Sequence, residues 1–287
     1  MATETHRDRD AIDKLSVVSR FYELLGEGGV AAVLDLFDAQ ITWIEAERSP
    51  YPGTFIGPGA VCDDLLKRRA AEWYSFTATP NDFLIEGSRI VAFGTYDGIY
   101  RQTGKSMRAD FAHVWTLSDG KITSHHAFTD TAKVREALTR DNEPVAASDS
   151  EFEAKTATYR APVEIVKELY ARLTAGDPGG ALALMSDDIE WITMMDYKVA
   201  GRGPQKVLEG MLIPAMEEWE PYTLTPHEFI CDGNRVVSVG RFKGTNRATG
   251  KHVEVDYSHI WEVRGHKIVR HRQFIDTGKI EPARHPG

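Results

Sequence analysis

Residues 94–131 read GTYDGIYRQTGKSMRADFAHVWTLSDGKITSHHAFTDT, and residues 240–277 read GRFKGTNRATGKHVEVDYSHIWEVRGHKIVRHRQFIDT. The two stretches align without a gap at an offset of 146 positions (240 − 94), sharing a Thr-Gly-Lys turn and an Asp-x-x-His-x-Trp run. Nearer the N-terminus the offset is 148, as for Tyr22 with Tyr170 and Trp43 with Trp191. A period this long indicates a duplicated domain, because solenoid units repeat about every 20–50 residues. Each copy must therefore close its own core, and function must be interpreted once per copy.

Composition describes an ordinary globular chain, with 42% hydrophobic and 27% charged residues among 287. The net charge of −9 argues against nucleic acid or an anionic membrane as a partner. No stretch approaches the roughly 18 apolar residues of a membrane span, and the polar N-terminus lacks a secretory apolar region. Cys62 and Cys231 occupy non-equivalent positions, which predicts no disulfide framework. We therefore expect a cytoplasmic protein.

The pattern along each copy is helices first and strands afterwards. Apolar residues recur at helical spacing from Ile12 to Leu25, after a tail over residues 1–11, and Gly57-Pro58 begins another helix that runs to about Glu72. Strands are predicted over 41–45, 76–85, 89–100, 106–117 and 121–129, separated by short turns. This predicts an α+β fold with a curved, mostly antiparallel sheet on a helix layer. The expected domains are residues 12–138 and 161–280, joined by a polar linker over 139–160.

The order helix–helix–strand–helix followed by four strands resembles the NTF2-like superfamily. The residues that carry this likeness are Phe21-Tyr22 with Gly28, the Gly57-Pro58 helix start, the Asp119-Gly120-Lys121-Ile122 turn, and their counterparts in the second copy. The resemblance covers both copies and implies two tandem cone-shaped domains of the type found in SnoaL-like polyketide cyclases, ketosteroid isomerases and limonene epoxide hydrolases. It further implies an apolar pocket on the concave side of each sheet. It does not settle the chemistry, because this fold hosts isomerases, hydrolases, cyclases, dehydratases and binding modules.

Glu45 is the first candidate for chemistry. The resemblance places it where ketosteroid isomerases carry their general base, and burial of a carboxyl in an apolar pocket suits proton transfer near neutral pH. The second copy has Thr193 there, which cannot act as a base. The alternative is a solvent-facing glutamate at a strand end. Tandem epoxide-opening cyclases of this fold use two carboxylates, which Glu45 and Glu72 would supply, although Glu72 also fits a solvated helix end.

Strand alternation gives the second set of candidates. Alternation groups the side chains by face, and the resemblance implies that His125, Ala127 and Thr129 face the pocket from the last strand, with Arg108 and Asp110 facing it from the strand before. An Asp110–His125 pair could relay a proton, with Asp256, His271 and Gln273 as the counterparts in the second copy. The alternative is that aspartates shared by both copies serve the fold. His113, Trp115, His259 and Trp261 are then predicted to lie on the convex, interface-forming face.

Aromatic and polar residues complete the predicted substrate-binding set. Its members are Trp43, Trp73, Tyr96, Arg108, Thr129 and Gln273. The aspartate that SnoaL-like cyclases carry on the last strand is replaced by Ala127 and Gln273, and the helix tyrosine of the isomerases falls at Phe21 and Leu169. No His-x-x-x-His set, phosphate loop or nucleophile elbow occurs, so no metal and no cofactor are expected.

Two hypotheses from different classes follow. The first is a cofactor-independent acid/base enzyme of secondary metabolism, a cyclase, isomerase or epoxide-opening enzyme, that acts on a hydrophobic, polyketide-like substrate in the first copy. The second is a protein that only binds an apolar small molecule. A third possibility is activity in the second copy through Asp256, His271 and Gln273. The duplication also predicts an intramolecular pseudo-dimer, with a further homodimer as an option.

Overall fold

The computed structural model describes residues 2–139 and 162–285 and divides into two compact units. The first unit contains residues 1–138 and 274–281, and the second contains residues 139–273 and 282–287. The predicted linker lies outside the described residues, apart from residue 139. Both units combine helices with one open mixed sheet, so the predicted α+β class is confirmed.

The first copy begins with a long helix, α1 (Ala2–Gly26), and the expected tail over residues 1–11 is wrong because this helix starts at Ala2. A 3-10 turn (Ala32–Leu36) follows it. The remaining elements are β1 (Phe37–Glu45), β2 (Gly53–Ile56), α2 (Gly57–Ala60), a π-helical turn (Val61–Leu66), α3 (Lys67–Glu72), β3 (Trp73–Glu86), β4 (Arg89–Tyr100), β5 (Ser106–Ser118), β6 (Lys121–Thr129) and α4 (Thr131–Leu138). The short strand β2 and the closing helix α4 carry too few apolar residues to be predicted from periodicity.

The sheet of the first copy has the order β2-β1-β6-β5-β4-β3. The hairpins from β3 to β6 are antiparallel, as the short connections predict, and β1 lies parallel to β6. This parallel pairing sets Trp43 beside His125. It therefore brings the first strand, with Glu45, next to the last one.

The second copy repeats this plan. Its elements are α5 (Pro162–Thr174), α6 (Pro178–Leu182), β7 (Met185–Ile192), α7 (Pro204–Val207), a π-helical turn (Leu208–Leu212), α8 (Ile213–Glu218), β8 (Trp219–Asp232), β9 (Arg235–Asn246), β10 (His252–Arg264), β11 (Lys267–Ile275) and α9 (Thr277–Arg284). The sheet order is β7-β11-β10-β9-β8, with β11 and β7 parallel.

The core of the first copy is aromatic and lies between α1 and the sheet. The rings of Phe21 and Trp115 are 4.8 Å apart, and those of Tyr22 and His113 stack at 5.9 Å. Trp115 and His113 therefore face the helix and are buried, at 0% and 3% exposure. Trp261 and His259 contact Tyr170 of α5 in the same way. The prediction that these four residues form a convex interface is wrong.

A β-bulge explains why the two faces of β5 are exchanged relative to the prediction. A two-residue turn at Asp119-Gly120 would pair His125 with Val114, on the face of Asp110 and Arg108. In the structure the register shifts after Leu117↔Ile122, so that Thr116 pairs with Ser124 and Trp115 with His125. One extra residue in β6 moves every later side chain to the other face relative to β5. His125 faces the core as expected, but its neighbours there are Trp115 and His113.

None of the helices among residues 2–139 and 162–285 combines the length and apolar character needed to span a membrane.

Candidate functional site

A cavity of about 310 Å³ lies in the first copy between the helical segment 57–72, α1 and the sheet. Several aromatic side chains contribute to its wall, including the predicted substrate-binding residues Trp43, Trp73 and Tyr96. Tyr74, which is 72% exposed, lines the same space. This size suits a small, flat, apolar molecule.

Glu45 is buried beside this cavity, and one of its carboxylate oxygens accepts two hydrogen bonds. Its Oε1 accepts hydrogen bonds from Trp43 Nε1 at 2.9 Å and from Arg69 Nη2 at 3.0 Å. Both donors line the cavity, so Glu45 lies one layer behind them. Its side chain is 5% exposed, which rules out the alternative of a solvent-facing glutamate.

Arg69 is the functional candidate that sequence reasoning missed. It is a buried cation on α3 whose guanidinium lies 4.9 Å above the Phe76 ring, and its Nε has no hydrogen-bond partner among the described residues. A signal was present in the sequence, because Arg69 stands at helical spacing from Leu65, Leu66 and Trp73 on the buried stripe. A buried arginine requires a partner carboxylate, and Glu45 provides it.

A chain of hydrogen bonds runs from the core to the cavity wall through His113. Trp115 Nε1 donates to the Tyr22 hydroxyl at 3.2 Å, and that hydroxyl contacts His113 Nδ1 at 2.8 Å. Because indole can only donate, the Tyr22 hydrogen is available to Nδ1, and in that arrangement His113 Nε2–H donates to the Tyr96 oxygen. Burial lowers the pKa of His113 well below its usual range, helped by the Arg69 charge, so the ring is neutral. The Tyr96 hydroxyl proton is thereby left to Thr129 or to a bound ligand.

The structure does not bring Asp110 and His125 together. His125 is fully buried and stacks on Trp43 with ring centroids 3.7 Å apart, and neither ring nitrogen has a partner among the described residues. Burial lowers its pKa well below the usual value. Asp110 lies on the opposite face of the sheet with Arg108, whose side chain is 72% exposed and 3.8 Å from Asp97. This corrects the expectation that Asp110 and Arg108 face the pocket.

Glu72 belongs to a structural network rather than to the cavity wall. It accepts a hydrogen bond from the Tyr51 hydroxyl at 2.9 Å, and that oxygen in turn accepts one from Trp73 Nε1 at 2.8 Å. The second copy repeats the arrangement with Tyr197, Trp219 and Glu218. Glu72 and Glu45 are thus not presented to the same space, as the two-carboxylate interpretation would require.

The second copy has its own cavity of about 330 Å³. Its wall includes Trp191, His271 and Gln273 together with Met211, Met216 and Tyr222. Thr193 replaces Glu45, and its hydroxyl donates to Gln273 Oε1 at 2.6 Å. Gln273 Nε2 lies 3.1 Å from His259 Nε2, while His259 Nδ1 contacts the Tyr170 hydroxyl at 2.8 Å. With the amide in this orientation, His259 carries its proton on Nδ1, the opposite tautomer to His113.

Asp256 does not reach this second cavity. Its carboxylate pairs with Arg241 at 2.7 Å on the outer face of β10, where Arg241 also contacts Glu254. The face of β10 that carries His259 and Trp261 is the one turned towards α5. Asp256 and His271 are therefore separated in the same way as Asp110 and His125.

Comparison with known proteins identifies the fold of both copies. The model of the SnoaL-like domain matches residues 18–125 and again residues 166–271. The chain belongs to the SnoaL-like family. This confirms the resemblance stated above, including its tandem form.

Solved structures similar to single copies include two from Burkholderia. The NTF2-like protein of Burkholderia thailandensis E264 is 35% identical over 45% of this chain and 100% of its own, with a TM-score of 0.42. An NTF2-like protein of Burkholderia pseudomallei K96243 is 25% identical over 44% and 98%, with a TM-score of 0.42. A candidate polyketide cyclase of Xanthomonas campestris pv. campestris is 18% identical over 45% and 98%, with a TM-score of 0.37. No curated protein matches the chain.

Proposed function

We propose that the first copy is a cofactor-independent enzyme that moves a proton in a hydrophobic, polyketide-like substrate during cyclisation or isomerisation. The observation that carries this proposal is the Arg69 guanidinium, a buried positive charge in a cavity wall whose other described residues are uncharged and mostly apolar or aromatic. Positive charge in a dry site stabilises the oxyanion that forms when a carbonyl substrate loses an α-proton. Membership of the SnoaL-like family, which includes cyclases and isomerases, is consistent with this chemistry.

Tyr96 is proposed as the second group that contacts the substrate oxygen. In the arrangement described above its oxygen accepts a hydrogen bond from neutral His113, so its phenolic hydrogen can be donated to Thr129 or to a substrate. Tyr96 and Arg69 line the same cavity, so one substrate oxygen could take a hydrogen bond from each. His113 and Tyr22 would then act as positioning residues that fix the direction of the Tyr96 hydroxyl.

Glu45 remains the proposed base. Its Oε2 accepts no hydrogen bond within the described residues, whereas Oε1 is held by Trp43 and Arg69. If Arg69 turns towards a substrate oxygen, its hydrogen bond to Oε1 of Glu45 breaks, and this oxygen too can accept the substrate proton. Substrate binding and base activation would thus be coupled through one side chain.

The test is exchange of the α-protons of 2-tetralone, an enolisable bicyclic ketone, for solvent deuterium, followed by NMR. We expect wild-type protein to accelerate exchange and Glu45→Gln to lose about 100-fold or more of that acceleration. Thr193→Val, at the equivalent position of the second copy, is the matched control and should exchange like wild type. Retention of activity within a few-fold in Glu45→Gln would remove Glu45 as the base. Absence of wild-type acceleration across a panel of enolisable bicyclic ketones would overturn the enzyme proposal.

The competing proposal is a protein that only binds an apolar small molecule. It is favoured by the position of Glu45 behind Arg69 and by the neutral wall of the second cavity. Ligands that shift the unfolding temperature but are recovered chemically unchanged would support it. We also propose a location in the cytoplasm and a place in secondary metabolism. The tandem arrangement is consistent with a pseudo-dimer of the two copies.

A further inference from the structure

The two cavities differ in the charge of their walls. Arg69 and the Glu45 behind it have Ala215 and Thr193 as counterparts in the second copy, by the offsets of 146 and 148. Among the described residues, no Asp, Glu, Lys or Arg lines the second cavity. A charged ligand placed there would lose its hydration without gaining a partner of opposite charge, which is costly.

The wall of the second cavity also contains polar groups without partners in the described part of the chain. Trp43 Nε1 donates to Glu45, but the equivalent Trp191 Nε1 has no hydrogen-bond partner within residues 2–139 and 162–285. Both ring nitrogens of His271, which is 1% exposed and stacks on Trp191, lack partners as well. Both side chains belong to the cavity wall. Buried polar groups of this kind are normally satisfied. The equivalent His125 has no partner among the described residues either, so the group that points to a ligand is the Trp191 indole N–H, whose counterpart at Trp43 is satisfied.

The histidines of this wall are held uncharged. Burial lowers the pKa of His259 to about 3, and burial together with the neighbouring His259 lowers that of His271 well below its usual range. A neutral imidazole offers one donor and one acceptor, and indole adds a donor. The remaining wall is apolar and adaptable, because Met211 and Met216 are unbranched and can follow the shape of a ring system.

We infer that the second cavity binds an uncharged, largely apolar molecule of about two fused rings through one carbonyl or hydroxyl oxygen, and that it rejects the corresponding anion. Trp191 and His271 would bind the oxygen, and Met211 and Met216 would pack on the rings. This proposal concerns a cavity separate from the proposed active site. Its test does not depend on whether the first copy catalyses α-proton exchange.

A pair of isosteric probes tests the proposal on the wild-type chain. 2-Naphthamide and 2-naphthoate have the same shape, but only the second is charged at pH 7. Methionine methyl groups labelled with ¹³C report the second cavity selectively, because Met211 and Met216 line it and no methionine is among the described residues around the first. Met216→Leu, at a residue that is 45% exposed, assigns the signal with little risk to folding.

We expect 2-naphthamide to shift the Met211 and Met216 signals and to bind at least about tenfold more tightly than 2-naphthoate. Equal shifts with both probes, a preference for the anion, or no shift with either would overturn the inference. A second experiment transplants the charges with Thr193→Glu and Ala215→Arg together. If this variant keeps its fold by circular dichroism, its preference should move towards 2-naphthoate; an unchanged preference would show that the wall charges do not select the ligand. The wild-type titration decides the proposal even if the double variant does not fold.

Discussion

The two copies share their scaffolding and differ in the groups that their cavities present. Each keeps a helix tyrosine bonded to a buried histidine, as in Tyr22–His113 and Tyr170–His259. Each also keeps a Trp–Tyr–Glu chain at the start of its longest hairpin. Residues that survive duplication in both halves therefore hold the fold together. The chemistry must be sought where the halves diverge, and the clearest divergence is the Glu45–Arg69 pair.

A second difference lies in the direction of the hydrogen bonds. In the first copy the network accommodates the His113 hydrogen on Nε2, towards Tyr96, whereas in the second the amide of Gln273 places the His259 hydrogen on Nδ1, towards Tyr170. Phe242 stands where the first copy has Tyr96, and Gln273 supplies the replacement contact. The equivalent histidines thus have different roles. His113 contacts the Tyr96 hydroxyl, which can donate into the first cavity, whereas His259 is part of a network closed by Gln273.

The largest effect is expected from breaking the charge pair that separates the copies. Arg69→Met leaves the Glu45 carboxylate buried without a cation, because its side chain is only 5% exposed. Removing one partner of a buried ion pair costs about 3–5 kcal/mol in the free energy of unfolding. Chemical denaturation would measure this loss. The matched control, Lys67→Met, removes an exposed cation from the same helix and should leave the free energy of unfolding almost unchanged.

The double variant Glu45→Thr with Arg69→Ala sharpens this prediction, because it installs the residues of the second copy in the first. We expect it to recover most of the lost stability, since no uncompensated charge stays buried. It should nevertheless lose α-proton exchange. Stability no better than that of Arg69→Met would mean that the pair is not the main difference between the two cavities.

The next effect concerns what the copies share, a buried neutral histidine. The pKa of His259 is about 3 in the folded chain because burial opposes its charge, against a usual value near 6.5. Between pH 3 and 6.5 this histidine binds more protons in the unfolded chain than in the folded chain. Its contribution to the free energy of unfolding is therefore fully present above about pH 6.5 and is lost as the pH falls towards 3. One such histidine makes the free energy of unfolding rise by about 1.4 kcal/mol per pH unit within this range.

His259→Gln should therefore reduce the slope of unfolding free energy against pH between 4 and 6, measured by urea titration at several pH values. His227→Gln removes an exposed histidine and should leave the slope unchanged. The same replacement at His113 should act in the same direction, because burial lowers that pKa too. A slope unaffected at both positions would contradict the view that these two histidines are held neutral by burial in the folded chain.

Much of this fold could be predicted from the sequence, and the failures have local causes. The repeat, the turns and the helical spacing gave the two domains and most strands, because these features depend on neighbouring residues. The faces of β5 could not be predicted, because one bulged residue near Thr123 shifts the register without an obvious signal. Arg69 was missed because a charged residue in a Lys-Arg-Arg run suggests a solvated helix surface. Glu45 was identified through the family resemblance, but its partner became visible only in the structure.

The smallest effect is expected from the aspartates that occupy equivalent outer positions in the two sheets. Asp256 is a partly exposed partner of Arg241, and exposed ion pairs of this type contribute about 0–1 kcal/mol. Asp110 lies on the same outer face of its own sheet, away from His125 and from the first cavity. Asp110→Asn and Asp256→Asn should therefore change stability by less than about 1 kcal/mol and leave the rate of 2-tetralone exchange unchanged. If Asp110→Asn alone reduced exchange tenfold or more, the carboxylate would have to act on the site through the sheet, and the distinction between shared scaffold and divergent chemistry would fail at this position.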